Sequence, residues 1–332
     1  MNKILCAGES IIDFISLENG KNLKETEMFS KQAGGSSSNV AVGLSRLDIP
    51  ASFTGIIGGD YFGGFLESKL LDCGIDCSLL KKTPKYNTPI VFVGLDEKGG
   101  NEFCFYRDFN LNKEYKILKQ DYQSIKECGI LHFSSVVLRE NNFRIQILKL
   151  IDYVKTKNRG IIHFDANIRF GLWNNRVSLK NVIVQYCKMS DIIKFSEEEL
   201  YFVSGIKNIE KSLRNMKLFK NKLVIVTAAE KGSYTLFNGE FIKVPAFKID
   251  AVDATGAGDA FVAAFLSRIY RFNHKEFEKL KSRLTPDIIK EWLIFSNAAG
   301  AMNCVRRGAT SGMTSEKKIN DFIKGRESNE KN

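Results

Sequence analysis

Short apolar runs alternate with amphipathic stretches almost from one end of this chain to the other, and that alternation constrains its fold more than any other feature. Residues 3–7, 51–57, 130–134, 161–165, 191–195 and 223–227 are rich in Ile, Val and Phe and apolar almost throughout. Strands buried on both faces of a parallel sheet read this way. Between them, residues 36–47, 61–73, 142–157, 178–188 and 209–218 mix apolar with charged positions, as helices covering a sheet do. The repetition predicts right-handed crossovers and an α/β fold, a doubly wound, mostly parallel sheet flanked by helices.

Two segments leave that rhythm. Residues 89–96 and 101–108 are β-rich and flank Glu97-Lys98-Gly99-Gly100, which predicts a hairpin able to join residues 10–16 in a small separate sheet. A second hairpin is predicted over 233–237 and 240–244, turning at Asn238-Gly239. After Thr314 the chain is polar, and a short helix with a frayed tail is expected. With 332 residues, no internal repeat and no Pro/Ser-rich linker, residues 1–332 read as one α/β domain with a β excursion.

Composition removes several function classes. A chain that is 44% hydrophobic can bury a sizeable core, which excludes intrinsic disorder. No apolar run approaches the roughly 20 residues needed to span a bilayer. Glu9 and Asp13 interrupt the opening segment, so no signal peptide is expected. Seven dispersed cysteines with no CxxC pair suggest reduced thiols and a cytoplasmic protein, and three scattered histidines do not make a zinc site. The net charge of +11 admits nucleic acid, an anionic membrane or a polyanionic substrate. The basic residues are dispersed over 207–222 and the tail, without interleaved aromatics, so neither nucleic acid nor a membrane is expected as a partner.

The sharpest chemical cluster is Val252-Asp253-Ala254-Thr255-Gly256-Ala257-Gly258-Asp259-Ala260-Phe261. Its small residues let backbone N–H groups approach a ligand, and a helix predicted over 260–270 starts there, which makes an anion site. Asp259 stands at that site with two open readings. It is either the base for a hydroxyl attacking a phosphoryl group, or a helix cap contributing about 1 kcal/mol. A dinucleotide fingerprint does not fit, because Phe261 takes the third glycine position and the loop comes late in the chain.

Three further clusters follow predicted strands or open predicted helices. Gly34-Gly35-Ser36-Ser37-Ser38-Asn39 feeds a helix whose first turn carries hydroxyls and an amide suited to a polyol, or simply to capping. Asp165-Ala166-Asn167-Ile168-Arg169 lies at the carboxyl end of a strand, where open α/β sheets bind ligands. Lys194-Phe195-Ser196-Glu197-Glu198-Glu199 also follows a strand, with acids that would complement a helix dipole. No GxxxxGK[ST] loop, protein-kinase signature or GxSxG elbow is present, and His163 inside an apolar strand reads as packing.

In this order the motifs resemble the ribokinase-like (PfkB) sugar kinase family. The likeness runs from Gly8-Glu9-Ser10-Ile11-Ile12-Asp13-Phe14 through Gly34-Gly35, Gly58-Gly59-Asp60, residues 165–169, 194–199 and 253–259 to Asn297-Ala298-Ala299-Gly300-Ala301 and Arg306-Arg307-Gly308-Ala309. Within the family it is most similar to bacterial fructokinases. The resemblance implies a β-sheet lid from about 10–35 and 84–109, and ATP-dependent phosphorylation of a sugar, fructose at its 6-hydroxyl. It implies catalysis by Asp259 with the Gly256, Ala257 and Gly258 loop, and sugar contacts from Asp13, Gly34, Gly35, Asn39, Arg107 and Arg169. Lys194, Thr227, Gly232 and Asn297 would line the ATP site, Glu199 would organise Mg2+ through water, and Asp253 lies where relatives bind a monovalent cation such as K+. It also allows a homodimer through the lid.

The chain departs from the family at Ala228-Ala229 in place of Leu-Gly, at Ala254 in place of Thr, and after Arg107, where an Asn-Pro-Ser-Ala-Asp run is missing. The alternatives kept open are another substrate (2-keto-3-deoxygluconate, ribose or a nucleoside) and a non-catalytic sugar- or nucleotide-binding protein on the same fold.

Overall fold

A computed structural model describes residues 3–18, 20–95, 101–106, 108–273 and 276–329. The chain forms strands β1 (Lys3–Ala7), β2 (Ile11–Ser16), β3 (Phe29–Gly34), β4 (Ala51–Gly58), β5 (Asp76–Thr83), β6 (Ile90–Leu95) and β7 (Asn101–Tyr106). These are followed by β8 (Cys128–Ser134), β9 (Ile161–Asp165), β10 (Ile192–Ser196), β11 (Leu223–Thr227), β12 (Ser233–Phe237) and β13 (Glu240–Val244). Nine strands make the main sheet, in the order β13-β12-β11-β10-β9-β8-β1-β4-β5. Every pairing from β11 across to β5 is parallel, and β12 and β13 close one edge as an antiparallel hairpin. The chain therefore builds outward from β1 to β5 on one side and from β8 to β11 on the other. The carboxyl ends of β1 and β8 border the switch point where such sheets place ligands.

Helices cover both faces because strand residues alternate between them. On one face Leu5, Phe133, Phe164 and Phe195 pack with Phe143, Ile147, Ile183 and Leu200. On the other, Ile4, Ile130, Ile192 and Ile225 pack with Val40, Leu44, Phe261, Phe265 and Leu293. The helices on this second face are Ser36–Arg46, Ala257–Phe272 and Pro286–Cys304, and the first two carry the Gly34–Asn39 and 253–259 motifs at their starts. The second sheet has the order β3-β2-β6-β7, with β2 parallel to β6 and both outer pairs antiparallel.

The six predicted core strands are all present within about two residues of the expected bounds. β5 and β3 were not anticipated, since DCSLLKKT and FSKQAG are half-exposed edge strands without an apolar run. The nineteen-residue helix Pro286–Cys304 was also missed, although Thr285 caps it and Pro286 opens it. The final helix, Glu316–Asn329, is longer than the short helix expected after Thr314. The turn at residues 97–100 and Arg107 lie outside the described residues. The cysteines are free, as expected, and among the described residues no helix is long and apolar enough to cross a membrane.

Candidate active site

The loop after β13 enters helix Ala257–Phe272 through Gly256, at φ 75°. A Cβ there would run into the Ala309 carbonyl, so the position demands glycine for both its backbone angle and its space. Ala257 N–H turns back to Ala254 O at 3.2 Å, whereas the N–H groups of Gly258 and Asp259 have no acceptor among the described residues. Two of the three amides expected to meet an anion are thus open at a helix start.

Asp259 does not cap its helix. Its Oδ1 accepts from Ser36 Oγ at 2.8 Å and its Oδ2 from Asn39 Nδ2 at 2.8 Å, both from the first turn of helix Ser36–Arg46. The residue is 7% exposed, and burial raises its pKa while Asn39, Ser36, Arg169 and Lys194 pull the other way. A buried carboxylate with raised basicity and a fixed orientation suits a general base.

Asp259 sits where two cavities meet. The smaller, about 70 Å³, is walled by Gly35 and Asn39 from the helix side, and by Asp13, Val91, Phe103 and Phe105 from the second sheet. The larger, about 370 Å³, runs along Lys194, Ser196, Glu199 and Thr227 at the ends of β10 and β11. Phe103, Asn167, Arg169, Thr255 and Gly256 line both cavities with Asp259. A still larger surface cleft of about 930 Å³, on the outer side of helix Ser36–Arg46, contains none of the motif residues named as candidates.

Asp13 lies on β2, and burial, helped by the Glu9 charge and opposed by Arg169, pushes its pKa up to about 7. Gly34 passes so close that a Cβ would strike the Asp13 carboxylate, and Gly35, at φ 107°, lies against the Glu9 carbonyl. In the larger cavity Lys194 is buried, and its ammonium lies 3.2 Å from Asp165 Oδ1. Glu199 accepts from Ile168 N–H at 2.6 Å and from Ser196 N–H at 2.7 Å, so a capping box fixes its carboxylate. Asp253 accepts from Thr255 N–H and Gly308 N–H, both at 2.8 Å, and ties the helix entry to the 303–309 segment.

The pfkB family carbohydrate kinase model matches residues 1–316. The chain belongs to that family. Fructokinase-1 of Zea mays is 32% identical over 322 residues, covering 96% of this chain and 97% of the maize protein. The crystal structure of a Xylella fastidiosa fructokinase with bound ATP superposes with a TM-score of 0.85 at 26% identity, covering 98% of this chain and 99% of that one. A Vibrio cholerae O395 fructokinase, crystallised with fructose, ADP and calcium ion, gives 0.80 at 26% identity, covering 97% and 99%.

This carbohydrate kinase does not bring every expected residue to the cleft. Asn297 directs its side-chain amide to the carbonyls of Val244 and Pro245, and Gly232 makes room for the same carbonyl of Val244. Neither lines the two cavities. Both instead shape the chain leaving β13. Arg107 cannot be placed, since it lies outside the described residues. Ser36, Asn167, Thr255, Phe103 and Phe105 were not singled out as site residues, although Ser36, Asn167 and Thr255 belong to recognised motifs. Thr255 Oγ1 is buried without a hydrogen-bond partner among the described residues. For Phe103 and Phe105, alternation along β7 was the available signal, since every second residue faces the same way.

Proposed function

We propose that this kinase transfers the γ-phosphoryl group of ATP to the 6-hydroxyl of fructose. The observation that carries the reading is the place of Asp259, buried between a small cavity with polar groups suited to a polyol and a larger one suited to a nucleotide. The hydroxyl oxygen attacks the γ-phosphorus, the bond to the β-phosphate oxygen breaks, ADP leaves, and Asp259 takes the hydroxyl proton. Ser36 and Asn39 hold the carboxylate for that transfer. The open N–H groups of Gly258 and Asp259 and the Lys194 ammonium stabilise the charge on the transferring group. The Vibrio cholerae relative, crystallised with fructose and ADP, supports the substrate assignment.

Glu199 offers fixed carboxylate oxygens at the larger cavity, a donor set that suits Mg2+ kept largely hydrated. When bound, the ion neutralises phosphate charge. Asp253, held by the Thr255 and Gly308 backbone, supports a K+ site. An ADP-release assay over fructose, ribose, 2-keto-3-deoxygluconate and a nucleoside tests the reading. Fructose should lead, and absence of turnover with all of them overturns it. Asp259→Asn should lower kcat by roughly 1,000-fold or more with little change in ATP affinity.

A further inference from the structure

Asp165 ends β9 and Lys194 lies opposite it on β10, so their side chains leave the same face of the sheet side by side. Asp165 is fully buried and Lys194 is 6% exposed. Although Oδ1 lies 3.2 Å from the ammonium, neither Asp165 oxygen has a well-directed hydrogen bond among the described residues. The nearby Glu199 differs sharply, since backbone N–H groups satisfy both its oxygens. A buried carboxylate left without donors is costly, so Asp165 depends on the Lys194 charge.

The ammonium also reaches the catalytic loop. A Cβ placed on Gly258 would lie 3.2 Å from Lys194 Nζ, so the glycine leaves room for the charge beside an open N–H. Charged groups face Lys194 from several elements: Asp165 on β9, Glu199 on helix Glu197–Ser204, and Asp259 on helix Ala257–Phe272. Burial works against the ammonium, and these three acids more than offset it. Beneath lie His132 and His163, joined Nδ1 to Nδ1 at 2.9 Å and kept neutral by burial, so they bring no competing charge. Asp165 is the foremost of these attractions; without it the ammonium would answer to Glu199 and Asp259 alone, and pairing with Asp259 would weaken the base.

We propose that Asp165 is a positioning residue that holds the Lys194 ammonium at Gly258, where it meets the transferring phosphoryl group, and away from Asp259. The assignment rests on the phosphoryl-transfer reading of this cleft. It adds that Asp165 acts only through Lys194.

The test is a double-mutant cycle of Asp165→Asn, Lys194→Met and the pair, with fructose turnover and ADP affinity measured for each. Asp165→Asn should lower kcat about 100-fold, as loss of one transition-state contact does, with ADP affinity within about twofold of wild type, because ADP lacks the transferring group. In the Lys194→Met background the same change should cost no more than about twofold, since its partner is gone. Multiplicative losses, or a parallel loss of ADP affinity, overturn the proposal. If Asp165→Asn alone does not fold, the paired variant, which buries no charge at these positions, is compared with Lys194→Met, and a loss above about twofold between them overturns the proposal.

A second readout needs no activity. Amine-selective acetylation at pH 7.5, followed by peptide mass spectrometry, should modify Lys194 several-fold faster in Asp165→Asn than in wild type. An unchanged rate overturns the ion-pair assignment. A wild type without turnover but with the expected labelling difference would sink the kinase reading and leave the pair standing.

Discussion

Asn39 Nδ2 donates a 2.8 Å hydrogen bond to Asp259 Oδ2 across 220 positions of sequence, joining the first turns of two helices that run on the same face of the main sheet. The bond fixes where the carboxylate points. It also sets its acidity, because a donor to the ionised carboxylate opposes the upward push of burial.

Asn39→Ala should therefore raise the Asp259 pKa further and shift the acid limb of the kcat profile to higher pH. A hydrogen bond to a charged group contributes about 1.5–3 kcal/mol, so kcat at neutral pH should fall roughly 10- to 100-fold. Stopped-time assays from pH 5.5 to 9 read both effects. An unshifted limb would remove Asn39 from control of the base.

Sugar binding should release a proton at Asp13. Burial holds this carboxyl at about 7, against an ordinary value of 3.8. The native protein keeps a proton that the unfolded chain has lost in that interval, so the group's contribution to stability is present at acid pH and is lost as pH rises through about 7. A carboxylate accepting sugar hydroxyls favours the ionised form. Calorimetry in buffers of different ionisation enthalpy should show proton release near pH 6 and none near pH 9, and Asp13→Asn should abolish it. Equal release at both values would exclude Asp13.

The helix pair that carries Asn39 and Asp259 is held close by Gly43. A Cβ there would stand 2.6 Å from the Ala263 Cβ, so Gly43→Ala must push the helices apart. Overpacking of this kind costs about 1–3 kcal/mol. Urea denaturation should show the loss, and kcat should fall with it because the two first turns separate. Full stability would mean that the helices can part freely.

Ala229 adopts φ 44°, a left-handed backbone conformation that disfavours a side chain. This is where the family pattern has glycine. Ala229→Gly should raise stability by up to about 1 kcal/mol, because relief of strain exceeds the added freedom of the unfolded chain. Turnover should stay unchanged, since Ala229 is exposed and lines neither cavity. A lower melting temperature would contradict the strain.

Residues 3–7, 130–134, 161–165 and 223–227 announced their strands because burial on both faces leaves a continuous apolar signature in a short window. The loop at 253–259 was legible for a similar reason, since small residues directly before a helix start are visible in a short window. β3 and β5 were not legible, because a half-exposed edge strand needs no apolar run.

By itself the sequence determined the α/β class, the small-residue loop at 253–259 and the family. Only the tertiary structure decided that Asp259 is buried and bonded to a second helix rather than capping its own, that the Asn297 amide bonds the chain leaving β13, and that Asp165 pairs with Lys194. Local periodicity is written in neighbouring residues, whereas burial and pairing depend on side chains brought together from distant segments by packing.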